Sequence, residues 1–314
     1  MVLRTRPFRT AAVFVVIFAV APLWNCSVAP PRAETLPIHA TPMRRHGHRA
    51  HLLDDKIFVF GGFSSKSLTS DRGARETWIF DTKTGSWSPG PNLNDEHAFA
   101  PSAIVNNSII AIGESIERYD ATKGVWETFA APGLTPRSHF SATALGTRIF
   151  TIGGFPQELG RFMCFDITTK KQIDVPPFPD AEPGDHFQII ATIGNAIHVV
   201  GGVRASVVDG IKKHWVFENN AWREAAPPPV EVWAKFGAHQ AVGSKLFIFS
   251  NRSGLCFDAK TGAWTSVAPI PIEVCMPACF AAGEFIYVLG GLTQPNSNHI
   301  YIYDTQKDVW MRTQ

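Results

Sequence analysis

No block of five or six like charges occurs anywhere in the 314 residues, and the formal net charge is only +2. A polyelectrolyte partner such as nucleic acid is therefore not expected. Cysteine is scarce, with five residues in all, and none has an evident disulfide partner. Cys275 and Cys279 lie four apart on one predicted strand, roughly 13 Å at the usual rise per residue and beyond disulfide reach. Cys164 and Cys256 occupy matching places in two separated stretches, "CFD" at 164–166 and at 256–258, and read as small buried hydrophobes. Walker, HExxH, GxSxG and zinc-type CxxC patterns are all missing, so the common nucleotide, metalloprotease and hydrolase chemistries have no foothold.

What is present is the composition of a packed globular protein, 45 % hydrophobic and 18 % charged. The beginning differs from the rest. Arg4, Arg6 and Arg9 precede the fourteen-residue run "AAVFVVIFAVAPLW", followed by small and proline-rich sequence. These are a signal peptide's charged and apolar regions, too short to span a bilayer comfortably. Residues 1–33 are expected to be a signal peptide or N-terminal anchor, and 34–314 the folded domain. Cleavage is expected after Ala29 or Ala33, and the chain to be exported, periplasmic or secreted. Cys26 raises a lipoprotein reading, although Trp24 and Asn25 are bulky for a lipidation site; membrane attachment is expected through this segment only.

The remainder is repetitive. A double glycine closes an apolar run at Gly61-Gly62, Gly153-Gly154, Gly201-Gly202 and Gly290-Gly291, with worn copies at Gly113-Glu114 and Ser250-Asn251. Six copies follow, 40 to 52 residues apart. An aromatic residue and an acid travel with them: Phe80-Asp81, Tyr119-Asp120, Phe165-Asp166, Phe217-Glu218, Phe257-Asp258 and Tyr303-Asp304. Trp87, Trp126, Trp264 and Trp310 each lie six residues past the acid, Trp222 lies four past it, and the third copy has Gln172 instead.

Each copy reads as four short strands, in the first "GHRAHLL", "KIFVFGG", "TWIFDTK" and "SWSPG". Glycine at a strand end allows positive φ and close backbone approach. The acid can accept from backbone N–H groups in the turn it begins, and the aromatics can fill the space between radially arranged sheets. The pattern predicts an all-β, six-bladed propeller of four-stranded antiparallel blades, with no convincing helix after the leader. A further outer strand is expected at 34–44, pairing with the last blade to fasten the chain ends.

The stretches "HRAHLLDDKIFVFGG…WIFDTKTGSW" and "FIYVLGG…IYIYDTQKDVW" resemble the kelch repeat, and the resemblance runs from residue 45 to 314. It implies a kelch-type propeller of the galactose-oxidase central-domain superfamily, a fold that hosts scaffolds, ligand-binding adaptors and some enzymes. Copper-radical chemistry of the galactose-oxidase type is excluded, because Tyr119, Tyr287, Tyr301 and Tyr303, the four tyrosines, are all framework residues. Exported kelch proteins also include sialic-acid mutarotases; a carbohydrate epimerase or mutarotase is the enzymatic alternative, with Glu96, Arg137 and Asp185 as acid–base candidates.

Strand parity gathers the strand 2–3 loops and the connections between blades on one face, and these are the long, varied segments. Recognition of a protein, peptide or glycan is expected there, through Arg44, Arg45, Asp95, Arg204, Glu231, Trp233 and Lys235. Trp233 lies outside the repeat's tryptophan position and can stack on a sugar or a peptide side chain. His48, His97, His139 and His186 recur near the start of the innermost strand in four consecutive copies. They read as repeat framework, and no metal or other cofactor is expected.

Overall fold

Short aromatic and β-branched runs fold here into strands, and the strands into six antiparallel sheets of four, each in simple sequence order. The structure is a computed structural model that describes residues 35–64, 73–113, 115–131, 139–154, 161–182, 185–204, 209–234, 237–250, 253–292 and 298–313. The expected leader at 1–33 lies outside the described residues. Among the described residues no helix is long and apolar enough to cross a membrane.

Blade one is built from Arg49–Leu53, Lys56–Phe60, Thr77–Asp81 and Ser86–Pro89. The innermost strands of the next five blades are Ser102–Val105, Ser141–Leu145, Ile189–Ile193, Gly237–Val242 and Ala278–Ala282. Two small ribbons stand outside the blades, Arg45–His46 with Phe63–Ser64 and Val203–Arg204 with Asp209–Gly210.

The core is divided among the seams between neighbouring blades. Phe58 and Phe60 of blade one pack against Tyr119 and Trp126 of blade two; Ile57 and Phe80 pack against Tyr287 and Ile302 across the closing seam. A side chain of this size contributes about 1.5–3 kcal/mol when fully buried. The tryptophans also bridge seams by hydrogen bonds: Trp126 Nε1 donates to Thr77 Oγ1, Trp222 Nε1 to Pro176 O, Trp264 Nε1 to Ala226 O and Trp310 Nε1 to Ala268 O. Blade three, lacking the tryptophan, sets Lys170 over the ring of Phe129 at 5.3 Å.

The double glycines have a specific task. In four copies the amide of the second glycine donates to a carbonyl leading into another blade: Gly62 to His97, Gly154 to Asp185, Gly202 to Val232 and Gly291 to Arg45. A Cβ on Gly61 would run into the carbonyl oxygen of His97. Four of the six acids behave as expected. Oδ1 of Asp81, Asp120, Asp166 and Asp304 each accepts two backbone N–H groups, from the second and third residues after it.

One expectation fails. Residues 35–44 form no strand, and the sixth blade takes its outer strand, Val309–Arg312, from the C-terminal end. The segment instead lies across the closing seam: Ile38 is buried between the two blades, Leu36 N donates to Tyr287 Oη, and Thr41 N donates to Asn298 O. Val309–Arg312, pairing with Tyr301–Asp304, already fills the outer-strand place of the blade.

Candidate functional site

At the end of the axis where the chain enters each innermost strand, five residues share one backbone conformation. Gly47, Phe99, His139, Phe187 and Met276 have φ between 55° and 64°, and each stands two residues before the residue that pairs with the end of its blade's second strand. The fifth-blade equivalent, Phe236, lies outside the described residues. Backbone bonds join these points around the axis: Gly47 N to Met276 O, Phe99 N to Gly47 O, Phe187 N to His139 O, and Ala234 N to Phe187 O.

The side chains form a collar on this frame. The ring of Phe99 lies over Gly47, in the space a Cβ there would need. Phe99 also meets Phe63 at 5.1 Å between centroids and stacks on His139 at 5.6 Å; Phe187 meets His139 edge-on at 5.0 Å and His186 at 4.8 Å. All five rings are half-buried, so each keeps a face or edge open to solvent.

Below the collar runs a central channel of about 420 Å³, lined by all six innermost strands. Its polar lining includes Arg49, His51, Ser102, Ser141, Thr143, His239 and Cys279, with no carboxylate among the described residues. His51 Nε2 meets Ser102 Oγ at 2.7 Å. Burial, helped by the charge of Arg49, lowers His51 and His239 to about 4, and burial lowers Arg49 itself to about 10.

The predicted site residues are distributed unevenly around this centre. Arg44 is exposed. Arg45 is committed to Glu76 at 2.9 Å and to Gly61 O. Asp95 and Glu96 lie on the segment entering blade two, exposed and half-buried respectively. Arg204 is held by three carboxylates, Asp180 at 3.2 Å, Glu182 at 2.9 Å and Asp185 at 3.5 Å, while Lys213 also meets Asp180. Burial pushes the Asp185 carboxyl above the usual range against the pull of Arg204. The structure thus joins Asp185 and Arg204, assigned separate roles from sequence, in one ion cluster. Glu231 is exposed, and Trp233 is half-buried beside Gly210, where its indole nitrogen fills the space of a Cβ. Arg137 and Lys235 lie outside the described residues.

The four histidines do not form a ring. Counted back from the pairing residue of each innermost strand, His48 is one residue before it, His139 two, His186 three and His97 four. His139 and His186 therefore join the collar, while His48 and His97 are buried. Among the described residues no group of three or more His, Cys, Asp or Glu is placed to hold a metal ion.

Sequence reasoning missed Phe99, Phe187 and Glu117. Glu117 is fully buried and accepts from Asn94 N at 2.7 Å, Asp95 N at 2.9 Å and Asn94 Nδ2 at 2.9 Å, with His97 Nε2 at 3.0 Å. Burial raises its carboxyl, and these bonds outweigh burial to leave it below the usual range. It fills the place where other blades put Trp78, Trp215 and Tyr301. An acid in an aromatic place was the available signal.

Comparison with known proteins agrees with this architecture. The Kelch motif model matches residues 44–94 and 136–179. The chain is similar to Kelch domain-containing protein 3 of Bos taurus, 22 % identical over 217 residues, which cover 59 % of this chain and 55 % of that protein. It is also similar to Kelch-like protein 25 of Xenopus tropicalis, 21 % identical over 305 residues, covering 88 % of this chain and 42 % of that one. The chain spans about half the length, or less, of these curated relatives.

Proposed function

Because this chain belongs to the kelch-repeat β-propeller family, whose members generally bind proteins, we propose that it is an exported binding module that grips a protein or peptide at the collar. The observation that carries this reading is the left-handed backbone of Phe99, His139 and Phe187. A side chain other than glycine costs about 1–2 kcal/mol in that conformation, and Gly47 in blade one takes the same place without the cost. Strain of this kind concentrates at functional sites. Half-open aromatic rings are what an interface core uses to seat an apolar side chain, and Arg44 and Glu231 supply a charged rim. Export rests on the arginines and apolar run of the first thirty-odd residues.

The test is capture from the exported fraction on immobilised protein, comparing wild type with Phe99→Gly and Phe187→Gly, and with Lys83→Glu on the opposite face. The collar variants should melt no lower than wild type and lose the captured protein, while Lys83→Glu keeps it. Equal capture by all four would overturn the collar as the site, and hits on a glycan array alone would replace the protein ligand by a sugar. Mass spectrometry should find the mature N-terminus at Pro30 or Glu34; an intact Met1 on protein from the cytoplasm would overturn export.

A further inference from the structure

Between blades four and five, near the short turns that reverse the chain at the opposite end from the collar, lies a groove of about 570 Å³. One wall holds a feature the repeat does not require. His198, on the strand Ala196–Val200, and His214, which begins His214–Glu218, are 2 % and 0 % exposed. Blade three fills the same two places with Phe150 and Phe162, whose rings stack at 5.6 Å and pack against the next blade. Two buried imidazoles therefore stand where an apolar pair suffices, and buried polar groups are costly unless their bonds are made.

Those bonds fix the state of each ring. His214 Nδ1 lies 3.2 Å from the carbonyl oxygen of Ala226, which can only accept, so Nδ1 carries the proton. His214 is neutral, since burial and the neighbouring His198 and Arg223 lower it to about 3 despite the Ala226 bond. Its Nε2 is then bare and accepts from His198 Nδ1 at 2.9 Å. His198 is likewise neutral, lowered to about 4 by burial and by Arg223. The relay leaves His198 Nε2 as a bare acceptor with no partner among the described residues, on a side chain that lines the groove.

The rest of the lining indicates what would meet that lone pair. Arg223 and Lys260 line the groove with Glu218, and no ion pair ties these three together among the described residues. Two cations against one acid disfavour a metal ion and favour an anion, while the bare imidazole nitrogen needs a hydrogen-bond donor. We propose that this groove is a second binding site, for a small ligand carrying a phosphate or carboxylate next to a hydroxyl. The anion sits against Arg223 and Lys260, and the hydroxyl donates to His198 Nε2.

The probe is glycerol 3-phosphate, with inorganic phosphate and glycerol as partial ligands, followed by calorimetry and by nitrogen-15 spectra of the imidazoles. Glycerol 3-phosphate should bind at least tenfold more tightly than inorganic phosphate, and glycerol should show no binding. The His198 Nε2 signal should be that of an unprotonated nitrogen and should move on addition of glycerol 3-phosphate. His198→Phe should reduce affinity to that for phosphate. The double variant His198→Phe/His214→Phe, which reproduces the pair of blade three, should do the same in a protein that folds. Arg223→Gln should remove binding of both anions. A protonated Nε2, no binding of glycerol 3-phosphate, or unchanged affinity in the double variant would overturn the site. Capture at the collar is read separately on the other face, so failure here leaves that reading intact.

Discussion

The amide of Gly291 donates to the carbonyl of Arg45 at 2.8 Å, linking the last blade to the segment that enters the first. The same type of bond operates between consecutive blades at Gly62 and Gly202. Closure of the ring therefore uses the repeat's ordinary joint, supplemented by Ile38, and among the described residues no strand is shared between the chain ends.

Gly61 and Gly85 both have φ of 67°, yet only Gly61 has a neighbour in the way of a Cβ. Gly85→Ala should cost about 1 kcal/mol, the strain of the conformation alone. Gly61→Ala should cost at least about 2 kcal/mol more, because the His97 carbonyl must shift and the joint with blade two opens. Urea denaturation of the two variants measures the difference.

Ile38 is 6 % exposed and packs across the closing seam. Ile38→Ala should destabilise by about 2–4 kcal/mol. Hydrogen exchange should show the loss chiefly in Ala278–Ala282 and Arg49–Leu53, which face each other there, and little in Ser141–Leu145.

Glu117 holds the segment 94–97 to blade two. Its folded pKa is depressed, so its contribution is present above the unfolded value of about 4.3 and is lost as pH falls through the folded value. Glu117→Gln should cost about 1.5–3 kcal/mol at neutral pH, as expected for hydrogen bonds to a charged group. Denaturation midpoints measured between pH 7 and 3 should show the gap to wild type closing at the acid end.

His48, His198 and His214 are at most 3 % exposed, and burial lowers them to about 3, 4 and 3. The unfolded chain takes up their protons from about pH 6.5 downward while the folded chain does not, so stability must fall as pH drops through that window. At pH 5 each costs about 2 kcal/mol, a large part of a typical net stability of about 5–15 kcal/mol. The double variant His198→Phe/His214→Phe should flatten the pH dependence, as read from melting temperatures between pH 7 and 5.

Phe99→Gly should raise the melting temperature or leave it unchanged, because relief of left-handed strain offsets the lost ring contacts. A fall of several degrees would mean that the ring is there for packing alone.

The blades are legible in the sequence because glycine, acid and tryptophan each serve a backbone or seam requirement that repeats with every sheet. The collar is not legible, because a left-handed turn announces itself only when glycine fills it, and four of the five described positions hold Phe, His or Met. Arg204, a recognition candidate, and Asp185, an acid–base candidate, looked unrelated because nothing in their spacing reveals that two loops bring them within 3.5 Å. The histidines, read from sequence as repeat framework, occupy four different offsets from their strands, and one residue of offset turns a side chain to a different neighbour. The segment 35–44 read as an outer strand, but Val309–Arg312 fills that place in the last blade and the segment packs across the closing seam through Ile38 instead.

Every blade is spun from one unbroken length of polypeptide. A nascent chain can therefore settle each sheet as soon as its fourth strand emerges, with no partner awaited from the far terminus. The contacts across the closing seam, the joint at Gly291 and the wedge of Ile38 among them, remain for the final step, so a chain halted between blades would leave an open apolar flank rather than a half-paired sheet.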